Sequence, residues 1–367
     1  MGIKRVEIKD FLVFKGEFSV DFSPGVNVII GGNATGKTTL MKVLYRLCNP
    51  GRHTKTSDYF YSLGRFITEL ILFPFEYLKM QVAKDNDCAR ICIKPVRTSG
   101  KGGDDDPGDL ILVNGSWISY DPSLYTDDYT NAKFVFCGDL STELEFMSDN
   151  FRTVPSIYIP ANHIVSFSKG IVELMDKYEL DFDATQIDIL RYLHHPMTRA
   201  FTPNCKNVIY TLGNLIDGEV LIDDGRFLIR KKSGLKVELA LEASGIMRLS
   251  ILWKLLRNGL LEPGSVLFWD EPENSLNPEY VPVLVDILLE LSRNGVQVFI
   301  ATHSELLASY FAVNRKEMEE AQFISLYKES DVVKANTGDR FDWLIPNNLV
   351  EEPVRLYEKQ IERGLGK

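Results

Sequence analysis

Eight consecutive residues, Gly31-Gly32-Asn33-Ala34-Thr35-Gly36-Lys37-Thr38, have the spacing GxxxxGK[ST] and could cradle a polyphosphate. Gly31 and Gly36 can take backbone angles closed to other residues. The loop N–H groups can then turn inward on an anion, and the N-terminus of a following helix adds partial positive charge. Lys37 would bring a cation to the β- and γ-phosphate oxygens, and the Thr38 hydroxyl is a hard ligand for Mg²⁺. With neighbouring Thr39, the expected nucleotide contacts are Gly31, Asn33, Ala34, Thr35, Gly36, Lys37, Thr38 and Thr39.

Two further signals lie far downstream. The apolar run Val266-Leu267-Phe268-Trp269 ends in Asp270-Glu271. An acid at the end of a strand beside a phosphate loop can hold the Mg²⁺ shell, which is the role expected of Asp270. Glu271, one position on, could polarise an attacking water as a general base. His303 follows the apolar stretch Val296–Ala301 at its C-terminal end, where ligand sites of parallel sheets gather, and is the second candidate catalytic residue.

Elements of the right kind surround these motifs. Ile3 to Phe14 and Glu17 to Phe22 alternate as two strands, with a turn expected at Lys15-Gly16. Val26 to Ile30 is a short apolar strand feeding the glycine loop, and 37–47 reads as its helix. Residues 60–82 look helical. Strands are expected at 89–96, 110–120, 133–137, 142–147 and 156–159, around a flexible polar loop at 99–109. Residues 164–216 read mainly as helix, broken at Pro196 and Pro203, before short strands near 219–223, 226–231 and 235–239. From there helix and strand alternate: helix 245–258, strand 265–270, helix 279–293, strand 296–301, helix 304–312, strand 322–328. That order signals a parallel sheet.

Composition places the 367-residue chain among globular proteins, with 45% apolar and 25% charged residues. No apolar run reaches the roughly 18–20 residues of a membrane helix. The N-terminus has no secretory pattern, so a soluble, cytoplasmic protein is expected. The net charge of −10 is local. Residues 102–150 hold eleven acids and one base, leaving 40 bases and 40 acids elsewhere, and residues 1–55 are net basic. A nucleic-acid partner is therefore not excluded. Five cysteines without a CxxC pair read as free thiols in a reducing compartment. His194-His195 reads as surface or satisfied core histidine.

The order GGNATGKT, EASGIMRLS, SVLFWDEPENSLNP, VFIATHS, together with the opening KRVEIKDFLVFKG, resembles the ABC-type ATPase heads. More closely, it is similar to the SMC, RecF and OLD group of chromosome, repair and phage-defence ATPases. The resemblance covers roughly 1–50 and 210–315. It implies a P-loop NTPase of ABC type, α/β, with a mixed sheet core, an antiparallel β subdomain and a helical subdomain. It implies ATP and Mg²⁺ as cofactors. Ser244 and Gly245 match the signature motif, here Ala243-Ser244-Gly245-Ile246-Met247 in place of LSGGQ, and Asn274 to Asn277 match the D-loop. Tyr158-Ile159-Pro160-Ala161-Asn162 stands at the Q-loop position without a glutamine. Read from the residues alone, Ser244 is a favoured N-cap opening an amphipathic helix.

The domain boundaries expected are 1–60 for the first part of the ATPase core and 61–160 for a β-rich insertion with an acidic loop. A helical subdomain at 161–216 follows, then the second part of the core at 217–335 and a C-terminal tail with a helix at 336–367. By the resemblance, two heads would sandwich two ATP molecules, and the homodimer would act as a switch on DNA or on an effector protein, away from membranes. The alternative is the nucleotide-binding subunit of an ABC transporter. The signature form, the missing glutamine and the 233-position separation of Lys37 from Asp270 argue against it. The 64 residues after His303 are too few for a TOPRIM nuclease domain.

Overall fold

The computed structural model describes residues 2–48, 88–95, 112–113, 116–117, 132–137, 154–162, 165, 183–198 and 205–364. In chain order the elements are β1 (Ile3–Phe11), β2 (Phe14–Asp21), β3 (Val26–Gly31), α1 (Lys37–Cys48), β4 (Cys88–Pro95), β5 (Leu112–Val113), β6 (Ser116–Trp117), β7 (Ala132–Cys137) and β8 (Ser156–Ile159). Then come α2 (Ala184–His194), α3 (Cys205–Leu215), β9 (Gly218–Asp223), β10 (Arg226–Lys231), β11 (Lys236–Glu238) and α4 (Ser244–Arg257). The chain continues with β12 (Val266–Asp270), α5 (Val281–Arg293), β13 (Gln297–Ala301), α6 (Glu305–Asn314), β14 (Ala321–Glu329), β15 (Val332–Gly338) and α7 (Asn348–Gly364).

The central sheet has the order β15-β14-β3-β13-β12-β8. Its five strands from β14 to β8 run parallel, and only β15 runs antiparallel. Side chains alternate between its two faces, as the period of a strand demands. Val28, Ile30, Leu267, Trp269, Val298 and Ile300 share one core with α2 to α6. Ile29, Phe268, Phe299 and Ile324 share a second core with α1, β1 and β2. Both faces are covered, which is why the parallel strands read as continuous apolar runs. Antiparallel sheets β2-β1-β4-β7 and β11-β10-β9 complete the mixed α/β architecture, with a small β5-β6 pair. Buried Gln297 ties the first of these to the centre. Its amide accepts from Ile3 N–H at 2.7 Å and donates to the carbonyls of Ile3 and Ser23.

Two local expectations differ from the structure. The first hairpin turns at Leu12-Val13, not Lys15-Gly16: Phe11 pairs with Phe14, and Leu12 sits at φ 52°. Phe14 and Phe18 are both buried with ring centroids 4.5 Å apart, so the strand must begin at Phe14. Burial of two aromatic rings outweighs a Lys-Gly turn signal. The strand expected to end at 328 continues through Ser330 and Asp331, at φ 48° and 67°, into the unforeseen β15. Two successive left-handed residues are the geometry of a tight hairpin. The helix expected at 60–82, the loop at 99–109, the strand at 142–147 and much of 164–182 lie outside the described residues. Cys48 and Cys205 are buried and form no disulfide among the described residues. His194 Nδ1 lies 2.8 Å from the Leu190 carbonyl, and its ring meets Phe227 edge-on, a satisfied histidine. Among the described residues no helix is long and apolar enough to cross a membrane.

Candidate active site

Parallel register brings the three motifs together. Ala301 lies opposite Ile29 on β3 and opposite Asp270 on β12, so all three strands end at one edge of the sheet. The glycine loop, Asp270-Glu271 and Thr302-His303 therefore leave that edge side by side, although the chain puts the glycine loop more than 200 positions before the other two.

Gly31 adopts φ 147° and Gly36 φ 91°. A Cβ on Gly31 would lie 2.2 Å from the Leu326 carbonyl, and one on Gly36 would lie 2.6 Å from Val13, so no other residue fits either place. Ala34 also takes a left-handed φ of 58° without being glycine. Thr35 closes the loop by donating to the Gly32 carbonyl at 2.9 Å. Lys37 is largely buried, and its ammonium donates to the Gly31 and Gly32 carbonyls at 2.8 and 3.0 Å. Burial pulls its pKa down, while Asp270 and Glu271 oppose that shift. Asn33, Ala34 and Thr38 are exposed along the loop, and Thr39 is half-buried in the first turn of α1.

Thr38 Oγ1 donates to Asp270 Oδ2 at 2.8 Å, and the Tyr158 hydroxyl donates to the same oxygen at 3.3 Å. Burial raises the Asp270 carboxyl above the ordinary value, against the lowering effect of the Thr38 hydrogen bond. Mg²⁺ is commonly held by one or two carboxylates plus substrate phosphates, and the Thr38–Asp270 pair offers oxygen donors of that kind. Tyr158 stands on β8 next to the Walker-type strand and packs in an aromatic row with Tyr45 and Phe268, at centroid distances of 5.5 and 6.3 Å. It lies in the segment matched to the Q-loop, and its hydroxyl holds the acid where a glutamine is missing. Tyr158→Phe keeps the ring and removes that donor. Mg²⁺-dependent nucleotide affinity should fall about tenfold, as for other partners that orient a metal ligand. Titrations of a fluorescent ATP analogue with and without Mg²⁺ check this; equal weakening in both would show that the hydroxyl does not act through the metal site.

Glu271 occupies a left-handed φ of 48° and is pinned through its backbone. Its N–H donates to the Ala301 carbonyl at 2.8 Å, and its own carbonyl accepts from Arg248 at 3.1 Å. Its carboxylate Oε1 lies 3.9 Å from His303 Nε2. Burial and then the charge of Lys37 lower the His303 pKa, so the imidazole is held toward its neutral form facing both groups. Ser244 is not the cap expected from sequence. It is the first residue of α4, and the cap is Ala243, which makes no side-chain hydrogen bond. An alanine there leaves the first N–H groups of a 14-residue helix without a side-chain cap, and Ser244 is exposed beside them. Gly245 has an internal reason to be glycine: a Cβ would lie 2.7 Å from the Ser275 carbonyl of the D-loop segment.

Residues 1–95 match the family model "AAA ATPase domain", and residues 140–309 match "AAA domain, putative AbiEii toxin, Type IV TA system". The DNA replication and repair protein RecF of Lactobacillus gasseri is 45% identical over 58 residues, 16% of this chain and 15% of RecF. RecF of Chlamydia abortus is 36% identical over 87 residues, 24% and 21% of the two chains. The chain thus matches less than a quarter of the length of these curated relatives. An SMC head bound to the C-winged helix domain of ScpA aligns over 92% of this chain and 98% of that one, with a TM-score of 0.52 and 14% identity. The fold is that of an SMC head. A second SMC head, with an extended coiled coil and bound to the C-terminal domain of ScpA from Pyrococcus furiosus, aligns over 98% and 99%, with a TM-score of 0.51 and 12% identity.

Sequence reasoning missed three residues of this head. Arg248 is buried, with its pKa lowered by that burial, and bonds the carbonyls of Glu271 and Ala161. Its signal was a cation four positions after Ser244, on the side of α4 otherwise filled by apolar residues. Glu273 and Thr302 meet at 2.5 Å across the site. A second acid two positions after Glu271 was visible, but nothing local pointed it at Thr302.

Proposed function

We propose that this head binds Mg-ATP, hydrolyses it, and pairs with a second copy around two nucleotides as a switch acting on DNA or on an effector protein. The carrying observation is the meeting of Thr38 with Asp270 at 2.8 Å and of Glu271 with His303 at 3.9 Å on one sheet edge. The first pair supplies metal ligands and the second a proton acceptor with a neighbouring imidazole. Lys37 would bind the β- and γ-oxygens, with Gly31, Asn33, Ala34, Thr35, Gly36 and Thr39 shaping the loop around them. Exposure of Ser244 at an uncapped helix end supports a composite site, because that end can meet the γ-phosphate of a partner head. RecF is a DNA replication and repair protein, and the SMC heads are seen bound to ScpA domains; these support DNA or a protein as the output.

The test is turnover and mass together. Wild type should release phosphate from ATP in Mg²⁺ and fall to background in chelator. Ser244→Arg, which puts bulk at the opposing γ-phosphate, should bind ATP, remain monomeric by light scattering and hydrolyse at least about tenfold more slowly. Normal turnover by the Arg variant would sink the composite site, and no Mg²⁺-dependent turnover by wild type would sink hydrolysis itself.

A further inference from the structure

One carboxylate near the site has no part in the chemistry above and keeps one of its oxygens out of solvent. Glu273 Oε1 accepts from Thr302 Oγ1 at 2.5 Å and from the backbone N–H of His303 at 3.2 Å. Its other oxygen, Oε2, is buried and has no hydrogen-bond partner. Burial raises its pKa, with the Thr302 hydrogen bond the largest opposing influence. A carboxylate held out of water with one oxygen unsatisfied is costly. A buried unsatisfied group of this kind in a native structure calls for an explanation.

What it fixes can be followed in both directions. Thr302 is fully buried; its N–H donates to the Ile29 carbonyl of β3, and its hydroxyl accepts from Ser304 N–H at 2.9 Å. Ser304 then caps α6 by accepting from Leu307 N–H at 3.2 Å. On the other side Glu273 sits within a tight turn. Asn274 N–H donates to the Glu271 carbonyl, Leu276 N–H donates to the Glu273 carbonyl, and Ser275 takes φ 60°. Ser275 is the residue against which Gly245 packs at the start of α4. From that turn the Glu273 carboxylate reaches across to hydrogen-bond both the Thr302 hydroxyl and the backbone of His303.

We propose that Glu273 is a positioning residue that sets the backbone of His303, and with it the spacing of imidazole and Glu271, and that it links this pair to the turn packed on the signature helix. This rests on the hydrolytic reading above. An approach of a second head to Ser244 and the D-loop segment would bear on the same turn, so Glu273 is the route by which that contact reaches His303.

Phosphate release and ATP binding by the full chain test this. Glu273→Ala loses both acceptor contacts and should lower kcat about 10- to 100-fold, the scale of a misplaced catalytic group, with KM and ATP affinity within about twofold of wild type. Glu273→Gln keeps an oxygen for Thr302 and His303 N–H and should stay within about threefold of the wild-type kcat. In a His303→Ala background, Glu273→Ala should add less than about a twofold loss, because residues acting through one another are not additive. If the Ala variant does not fold, Glu273→Asp carries the test: it keeps the charge, draws the acceptor back by one methylene, and should lose at least about fivefold in kcat at unchanged KM. Additive losses in the double variant, a rise in KM matching the fall in rate, or equal loss in Gln and Ala variants would overturn the proposal. Wild-type turnover beside a fully active Ala variant overturns it alone, whereas a wild type without turnover overturns the hydrolytic reading as well.

Discussion

A Glu271→Gln head is expected to bind Mg-ATP with wild-type affinity and to hydrolyse it about 10²- to 10⁴-fold more slowly, the usual cost of losing a general base. The residue is held by its backbone, through Ala301 and Arg248, at a φ of 48°, and that φ does not depend on the side chain being charged. Glutamine has the same length and can occupy the same place 3.9 Å from His303. It cannot take a proton from water. Binding should survive because Lys37, Thr38 and Asp270 are untouched, and the Thr38–Asp270 hydrogen bond at 2.8 Å stays in place. With hydrolysis blocked, two heads should remain closed around ATP. Light scattering should then give twice the monomer mass with Mg-ATP and the monomer mass without it. A Gln variant of near-normal turnover would remove Glu271 from the mechanism, and one whose mass ignores ATP would count against the sandwich.

Lys37→Ala should lose ATP binding by about 10²-fold or more. The ammonium is the cation inside the loop, and hydrogen bonds to charged groups are worth about 1.5–3 kcal/mol each. The variant also separates binding from folding. Burial lowers the Lys37 pKa, so the folded state holds the proton less tightly than the unfolded chain does. Below the unfolded value, neutral pH included, that ionisation therefore opposes folding, and deleting the ammonium removes an unfavourable burial. The melting temperature without nucleotide should stay within about 5 °C of wild type, since a change of about 1–2 kcal/mol moves a domain of this size by only a few degrees. Calorimetric ATP titration and a thermal melt decide it. Retained affinity in a folded variant would dismiss the phosphate-site assignment, and a collapsed melting temperature would show that Lys37 is needed for the fold.

Much of this head is readable from local sequence because local physics dictates it. The loop from Gly31 to Thr38 needs glycine where φ is 147° and 91°, and those glycines stand in the sequence at the spacing the loop requires. The parallel strands β3, β12 and β13 announce themselves as apolar runs because both their faces are covered. Helix and strand periods across 205–329 follow from the same alternation of buried and exposed positions. Some local signals misled because packing overruled them. The Lys15-Gly16 turn yielded to burial of Phe14, and Ser244 yielded the cap position to Ala243.

Contacts across the sheet are another matter. Thr38 and Asp270 are 232 positions apart, and only the adjacency of β3, β13 and β12 places them at hydrogen-bond distance. Tyr158 reaches Asp270 only because β8 pairs with β12. Glu273 could be read as one more acid after Glu271, yet its work is decided by Thr302 and His303, which arrive from the next strand. Sequence by itself determined the residues that could hold a phosphate, a metal and a proton, since each depends on side-chain chemistry and near neighbours. Which of them touch, and which carboxylate is left buried behind the pair, was decided by strand order, because that alone sets distances between residues hundreds of positions apart.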